Sequence, residues 1–257
     1  MSRSPSQRPK KYWGQHFLRN PGAVEKIVAA LEVRPGELIL EIGPGEGVLT
    51  GSLAALGHPL VAVEIDPGLV ARLRSRFSGE VEIVHEDATV VAFPRQPFVA
   101  VGNLPYNVGT PILRRIVAHP QCRRAVFMVQ KEVARRIVAE PGSKDYGYLT
   151  LAVRLHADAR ILLNLPPGSF HPPPKVWSSV VVLNPVPRNL ACPEEDLDAL
   201  IGAAFGKRRK KLLNAIEGFR GLEREELARR IRQAGFSEDV RAEQLSLEEF
   251  DRLCATL

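Results

Sequence analysis

The stretch LILEIGPGEGVLT, Leu38–Thr50, joins an apolar run to three glycines at alternate positions. The run predicts a buried strand, and the residues from Val48 onward predict a helix that closes at Gly57. Glycines between a strand and a helix let the backbone pass close to a ligand while the helix presents its N-terminal amides. The spacing differs from the G-x-G-x-x-G of dinucleotide enzymes, and a tight turn without a ligand is the alternative.

Short apolar segments alternate with helical patterns through the first two-thirds of the chain, which is typical of a mostly parallel sheet with helices on both faces. The predicted strands are Leu38–Ile42, Leu60–Ile65, Val81–His85, Phe98–Gly102, Ala125–Gln130, Ile161–Leu165 and Trp177–Leu183. The predicted helices are Ala23–Leu31, Val48–Leu56, Gly68–Phe77, Pro111–Val117 and Lys131–Ala139. A Rossmann-like α/β domain with seven strands follows from this pattern.

The last third of the chain has a different pattern. A proline-bearing linker, LNPVPRNLACPEED, is followed by segments with apolar residues at three- and four-residue spacing and by no further strand pattern. We therefore expect an α/β domain over residues 1–186, with a basic N-terminal arm over residues 1–20, and a small all-helical domain over residues 187–257.

Composition narrows the class of protein. Of the 257 residues, 45% are hydrophobic and 25% are charged, which is ordinary for a globular chain, and the apolar runs are much shorter than a membrane span requires. The N-terminus lacks the apolar core of a secretory signal. The three cysteines, Cys122, Cys192 and Cys254, have no paired spacing, so no metal or disulfide framework is expected, and a cytoplasmic location is the simplest interpretation.

Positive charge indicates a polyanionic partner. The net charge is +6, the first twenty residues carry five cations and no acid, and GKRRKK places five more in a row. Either cluster alone is equally compatible with a solvated surface. Together with an enzyme-like domain they favour RNA binding, and the second cluster consists of Lys207, Arg208, Arg209, Lys210 and Lys211.

Polar side chains follow three more of the predicted strands. Glu64 ends the second strand, in the position where an acid can accept both ribose hydroxyls, and Asp87 and Asn103 follow the next two. Ligands of open α/β sheets bind outside the carboxyl ends of strands, so these residues and the glycine turn should line one crevice. For a single carboxylate such as Asp66 or Asp87, a helix N-cap is the alternative. Glu41 beside the glycines, without a lysine, favours S-adenosylmethionine over a pyrophosphate: ribose at Glu64, adenine near Asp87 and the methionine moiety by Gly43.

The segment Asn103-Leu104-Pro105-Tyr106 follows the fourth strand and is one form of the N/D-P-P-Y/F-type motif of amino methyltransferases. The exocyclic amine of adenine is a poor nucleophile because its lone pair is delocalised into the ring. Acceptors aimed at its protons, from the Asn103 side-chain oxygen and the Leu104 carbonyl, would favour the pyramidal amine of the transition state. Tyr106 would offer a ring on which an extruded base can stack. A proline–tyrosine turn packed on the core is the alternative.

Seven segments in order resemble the small-subunit ribosomal RNA adenine dimethyltransferases, the KsgA family, over essentially the whole chain. They are GQHFL, EIGPGEGVLT, VEID, GNLPYN, FMVQKEVARRI, FHPPPKVWSSVV and FGKRRKKLLN. The resemblance implies a class I S-adenosylmethionine-dependent fold and dimethylation of two adjacent adenines in the 3′-terminal hairpin loop of 16S rRNA, within the 30S subunit and in ribosome biogenesis. It implies no metal and no membrane, and a monomer is expected.

The resemblance also assigns residues. It implies cofactor binding by His16, Leu18, Gly43, Glu64, Asp87 and Asn103, and catalysis by Asn103, Leu104 and Tyr106 with Phe170 as a second stacking surface. Two positions depart from the family pattern: His16 replaces an Asn, and Val108-Gly109-Thr110 replaces Ile-Ser-Thr. An imidazole can replace an amide as a donor to the cofactor carboxylate, whereas the lost serine hydroxyl affects local helix capping.

Three other functions remain as alternatives. A large-subunit rRNA adenine methylase has the same fold, although that family tends to carry Ile at the position of Leu104. A ribosome-assembly factor would act mainly by binding, against which the intact NLPYN segment argues. A nicotinamide oxidoreductase is disfavoured by the glycine spacing. Trp177, which lies in the segment FHPPPKVWSSVV, is expected to be a core residue rather than one that stacks on a base.

Overall fold

Two compact units make up the chain in the computed structural model, which describes residues 16–105, 108–207 and 210–257. The first unit holds the described residues up to Ala134 together with Arg160–Pro185, and the second holds Arg135–Ala159 and Val186–Leu257. This division differs from the single boundary expected near residue 186. Residues 135–159 belong with the helical unit because side chains such as Tyr146 and Leu151 are fully buried in its core.

A seven-stranded sheet forms the centre of the α/β unit, in the order β4-β3-β2-β5-β6-β9-β7. Strands β2 to β6 run parallel where they pair, and β9 pairs antiparallel with β6. The sheet is therefore mixed but mostly parallel, as the alternating sequence pattern predicts. The seven strands are β2 (Leu38–Ile42), β3 (Leu60–Glu64), β4 (Glu82–His85), β5 (Phe98–Asn103), β6 (Cys122–Gln130), β7 (Ala157–Leu165) and β9 (Ser178–Pro185).

Helices connect these strands close to the predicted positions. They are α1 (Pro21–Leu31), α2 (Val48–Ala54), α3 (Pro67–Arg76), α4 (Gly109–Val117) and α5 (Lys131–Ile137). Asn20 and Asp66 cap α1 and α3, each with a side-chain oxygen that accepts a backbone N–H of the first turn. Asp66 therefore has the capping role that sequence reasoning weighed for this carboxylate.

Close approach of two central strands depends on Gly102. A Cβ built on Gly102 would lie 2.2 Å from the carbonyl oxygen of Ile42 on β2. All residues of β2 are buried, as are the first five of β5, so the backbone there has no room to move. The glycine thus brings the end of β5, where Asn103 stands, close to the glycine loop that follows β2.

A second, two-stranded sheet joins distant parts of the chain. Phe17–Leu18 (β1) pairs antiparallel with Phe170–His171 (β8), and the Arg19 N–H donates to the carbonyl of Ser169 at 2.8 Å. Strands of two residues carry no periodic signal, so neither was predicted. The pairing joins two motifs that are about 150 positions apart in the sequence.

The helical unit buries its own core of apolar side chains. Its helices are α6 (Tyr148–Arg154), α7 (Glu194–Gly206), α8 (Leu212–Ala215), α9 (Arg224–Gln233) and α10 (Leu247–Cys254). The hydroxyl of Tyr146 donates to the carbonyl of Leu245 at 2.7 Å inside this core. Helix α6 was missed because its apolar run, YLTLAV, is buried almost throughout and lacks an amphipathic period.

No helix within the described ranges is both long enough and apolar enough to cross a membrane.

Candidate active site

A cavity of about 390 Å³ lies at the carboxyl ends of the parallel strands of the α/β unit. Side chains or backbone of all six positions expected to bind the cofactor line it, four of them because parallel strands end at one edge of the sheet. These positions are His16, Leu18, Gly43, Glu64, Asp87 and Asn103. The structure thus brings the six together, and their individual roles toward a cofactor stay predictions.

The glycine loop after β2 adopts a backbone that other residues rarely reach. Gly43, Gly45 and Gly47 have φ values of +66°, +58° and +77°, in the left-handed region. A Cβ at Gly45 would also lie 2.7 Å from Cδ1 of Phe17. The loop therefore needs glycine both for its dihedral angles and for the ring of Phe17 that packs on it.

Both carboxylate oxygens of Glu64 accept backbone hydrogen bonds beside the cavity. Oε2 accepts from the N–H of Gly45 at 3.1 Å, and Oε1 accepts from the N–H of Asp66 at 2.9 Å. Burial nevertheless raises the pKa of Glu64 above its ordinary value, because desolvation outweighs the backbone hydrogen bonds that its carboxylate accepts. The carboxylate is held rigidly, and each oxygen retains a lone pair that can accept a hydroxyl proton.

Glu41 is a fully buried acid on the wall of the same cavity. Its Oε2 accepts from the hydroxyl of Thr50 at 2.7 Å, and its buried Oε1 has no hydrogen-bond partner in the structure. Desolvation, with a smaller contribution from the negative charge of Glu64, raises the pKa of Glu41 to about 8. An unpartnered buried acceptor is costly, so Glu41 offers a place for a donor from a ligand. Sequence reasoning noted this residue but did not assign it to the site.

Asp87 is oriented by its own loop. Its Oδ1 accepts from the backbone N–H and the hydroxyl of Thr89, both at 2.8 Å. Arg115 of α4 donates to the carbonyls of Ala88 at 2.9 Å and Val91 at 3.0 Å, which ties the loop to the helix. With Oδ1 used in this way, Oδ2 is the acceptor that Asp87 can present to the exocyclic amine of an adenine.

The amide of Asn103 has a defined orientation. Its Nδ2 donates to the main-chain carbonyl of His16 at 2.6 Å, and since a carbonyl can only accept, the nitrogen must face that way. The side-chain oxygen therefore points away from His16. The next residue, Leu104, donates its N–H to the carbonyl of Met128 at 3.1 Å and buries its side chain. Asn103, Leu104 and Pro105 all line the cavity, whereas Tyr106 lies outside the described residues.

His16 uses one ring nitrogen inside the protein. Its Nδ1 lies 2.7 Å from the carbonyl of Pro172, so the proton on this nitrogen is donated to that oxygen. A donor role toward a cofactor carboxylate would then fall to Nε2. This refines the expectation that His16 replaces an amide donor.

Phe170 is only 4% exposed and packs in the core of the α/β unit. It pairs through its backbone with Leu18 and is not among the described residues that line the cavity. Its expected role as a second stacking surface would require the ring to leave this packing, and it stays a prediction.

Apolar residues that sequence reasoning did not select form much of the cavity wall. They come from the segments that flank the selected polar residues, and adjacency to Glu64, Asp87 and the glycine loop was the signal that could have found several of them. They include Phe17, Leu49, Ile65, Leu69, Ala88, Ile112 and Met128. An apolar wall with a few fixed polar groups is the usual form of a small-molecule site.

The basic segment after α7 is described only in part, because Arg208 and Arg209 lie outside the described residues. Lys207 and Lys210 are exposed, and Lys211 forms an ion pair with Asp239. The role of this basic segment in RNA binding stays a prediction. Within the described ranges no group of three His, Cys, Asp or Glu side chains could hold a metal ion.

S-adenosylmethionine fits these residues on three observations. The cavity has the size of small-molecule sites, the fixed carboxylate of Glu64 can accept ribose hydroxyls, and the orphaned Oε1 of Glu41 can accept from an ammonium group. Fold and site together define a class I S-adenosylmethionine-dependent methyltransferase.

A family model described as "Ribosomal RNA adenine dimethylase" matches residues 6–256. The chain belongs to this family, and it is an S-adenosylmethionine-dependent rRNA adenine dimethyltransferase.

Relatives and solved structures agree with the family. The chain is 40% identical over 256 residues to "Ribosomal RNA small subunit methyltransferase A" of Synechococcus sp. (strain JA-3-3Ab), covering 94% of this chain and 90% of that protein. It is 41% identical over 251 residues to the protein of the same name from Laribacter hongkongensis (strain HLHK9), covering 94% and 93%. A dimethyladenosine transferase from Plasmodium falciparum has a similar structure, with a TM-score of 0.82, 26% identity, and coverage of 93% and 96%. The 23S rRNA methyltransferase ErmE gives a TM-score of 0.73 at 27% identity, with coverage of 94% and 99%.

Proposed function

We propose that this enzyme dimethylates the 6-amino groups of two adjacent adenines in the 3′-terminal hairpin loop of 16S rRNA. It acts on the 30S subunit, in the cytoplasm and as a monomer, and it contributes to ribosome biogenesis. The names of the curated relatives support the small subunit as the target. The ErmE neighbour, whose title names 23S rRNA, makes a large-subunit adenine the second candidate.

The orientation of the Asn103 amide is the observation that carries the proposal. Because Nδ2 is committed to the carbonyl of His16, Oδ1 is left to accept an N–H of the adenine amine. The N–H of Leu104 is committed to Met128, which holds this corner of the backbone in place. Two acceptors, Asn103 Oδ1 and the Leu104 carbonyl, could then bind the two amine protons and direct the nitrogen lone pair out of the ring plane.

S-adenosylmethionine supplies an activated methyl group on a positively charged sulfur. The protein residues have to orient the amine, exclude water and fix the cofactor at its two ends. In this proposal Glu64 binds the ribose, Asp87 binds the adenine and Glu41 binds the methionine ammonium, which is supported by their positions on the cavity wall and by the unpartnered Oε1 of Glu41. No side chain is required as a general base, because the amine becomes acidic once it has been methylated and releases its proton to solvent.

The experiment is mass spectrometry of rRNA after reaction with isotopically labelled cofactor. Unmethylated 30S and 50S particles are incubated separately with the protein, and we expect dimethyladenine at two neighbouring positions of the 16S fragment only. Labelled adenine in the 50S arm alone would establish the second candidate and overturn the proposal.

Asn103→Ala separates catalysis from binding. Loss of a transition-state acceptor is expected to lower kcat by about 10²–10³, with particle binding retained. The matched control is Asn189→Ala, which alters an exposed asparagine of the helical unit. If Asn103→Ala keeps wild-type turnover, the proposed role of the amide is wrong. If it loses turnover but still supports subunit maturation, an assembly role by binding operates beside the methylation.

A further inference from the structure

Trp177 is not the core residue that its sequence context suggests. Strand β9 begins one residue later, at Ser178, and the side chain of Trp177 is 48% exposed. Its neighbour Val176 is 44% exposed. Two large apolar side chains in contact with water at one site call for an explanation, since such patches often mark interaction surfaces.

The position of Trp177 relates it to the active site through the sheet. On β6, Met128 pairs with Asn103 of β5, and Gln130 pairs with Ser178 of β9. Trp177 therefore lies beyond the same edge of the sheet at which Asn103 ends, two strands away. From the strand spacing and rise per residue, the two Cα atoms are separated by roughly 14 Å. This distance corresponds to a few nucleotides of a single strand.

Two lysines are near the indole ring, one in space and one in sequence. The Nζ of Lys131 lies 5.1 Å from the ring centroid, and the backbone N–H of Lys131 donates to the carbonyl of Trp177 at 2.9 Å. Lys175 is exposed two residues before the ring, and residues 170–178 contain no acid. Glu132 is the carboxylate that follows Lys131 in sequence. An aromatic face with flanking ammonium groups is the combination with which proteins bind single-stranded nucleic acid.

We propose that Trp177, with Lys131 and Lys175 beside it, stacks on an unpaired nucleotide of the RNA substrate a few positions from the methylated adenine. The inference rests on the proposed function and deepens it, because it names a contact that positions the RNA strand. The indole supplies a sequence-tolerant stacking surface, and the lysines supply attraction to the flanking phosphates.

Tryptophan fluorescence tests the contact directly. The chain has two tryptophans, so a Trp13→Phe background leaves Trp177 as the only reporter. A hairpin oligonucleotide with the sequence of the unmethylated 16S 3′ end is titrated, and binding is followed in parallel by anisotropy of a dye on the RNA. We expect saturable quenching with the same midpoint as the anisotropy. Quenching that is absent at saturating RNA, or that inorganic polyphosphate reproduces, would overturn the stacking.

Variants distinguish stacking from general packing. Trp177→Ala is expected to raise the KM for 30S particles about tenfold and leave the KM for the cofactor unchanged, and Trp177→Phe should recover most of the loss. Trp177→Leu keeps an apolar side chain without a ring, so wild-type behaviour of this variant would contradict the inference. Circular dichroism and cofactor binding check that each variant is folded.

Three further outcomes have clear meanings. If Trp177→Ala weakens binding to assembled 30S particles but not to the oligonucleotide, the surface contacts a ribosomal protein and the RNA inference is wrong. If the wild-type protein methylates no 16S adenine, the proposed function fails whatever the fluorescence shows. If methylation is normal and every Trp177 variant matches the wild type, only this inference fails.

Discussion

Replacing Glu41 by Gln should stabilise the cofactor-free protein at alkaline pH. The carboxyl is fully buried, its Oε1 has no partner, and burial raises its pKa from 4.5 to about 8. An acid whose pKa is higher in the folded than in the unfolded state binds more protons when folded. The contribution of Glu41 to the free energy of unfolding is therefore fully present below about pH 4.5 and is lost as the pH rises through about 8.

The size of this effect on the unfolding free energy follows from the two pKa values of Glu41. The difference between 4.5 and about 8, at roughly 1.36 kcal/mol per pH unit, corresponds to about 5 kcal/mol of unfolding free energy from this one group. Glutamine has nearly the same shape and can still accept from the hydroxyl of Thr50, but it does not ionise. The variant should resemble the wild type at pH 5 and exceed it by several kcal/mol at pH 9.

Urea unfolding at pH 5, 7 and 9, without cofactor, measures the effect through the midpoint and the slope. Glu82→Gln, which alters an exposed glutamate of β4, is the matched control and should show no difference between pH 5 and pH 9 beyond that of the wild type. A stability difference between Glu41→Gln and the wild type that stays constant from pH 5 to 9 would refute the reasoning, because it would mean that the carboxyl does not titrate within the fold.

Three further predictions concern the same edge of the sheet. Gly102→Ala places a Cβ 2.2 Å from the carbonyl oxygen of Ile42, so we expect about 1–3 kcal/mol of destabilisation in chemical denaturation, and unchanged stability would mean that the strands can separate at no cost. Arg115→Met removes two hydrogen bonds to the loop that carries Asp87, and steady-state kinetics should show a KM for the cofactor about tenfold higher with kcat little changed. An equal fall in kcat would point to a wider disruption. Glu64→Gln sets an amide NH₂ against the backbone N–H of Gly45 or of Asp66, so calorimetry should give a cofactor Kd at least about tenfold weaker. An unaltered Kd would remove this residue from the site.

Sequence reasoning succeeded where the signal is local. The five residues of β2 were predicted with their observed bounds, and the helices after β2 and β3 were placed within two residues of their observed ends. Buried parallel strands have continuous apolar sequences, and glycine or proline residues follow their ends. These two local signals are enough to predict them. The polar residues that follow these strands could be expected in one crevice for the same topological reason.

Two features depended on contacts between distant segments. The β1–β8 pairing brings Phe17 into contact with Gly45 and the carbonyl of His16 into contact with Asn103. Neither two-residue strand has a sequence pattern that predicts this pairing. Likewise, residues 135–159 join the helical unit because their apolar side chains bury there, not because the chain carries a boundary signal near Ala134.

The amino-acid sequence by itself determined the α/β architecture, the helical C-terminal third, the chemistry of the cofactor and the family, because strand period, glycine spacing and motif order are properties of neighbouring residues. Only the tertiary structure decided which way the Asn103 amide faces, that Oε1 of Glu41 lacks a hydrogen-bond partner, and that Phe170 is buried while Trp177 is exposed. These four features depend on which segments pack against each other in the folded chain. Packing between distant segments sets the burial and the hydrogen-bond partners of a side chain, and the residue type alone does not.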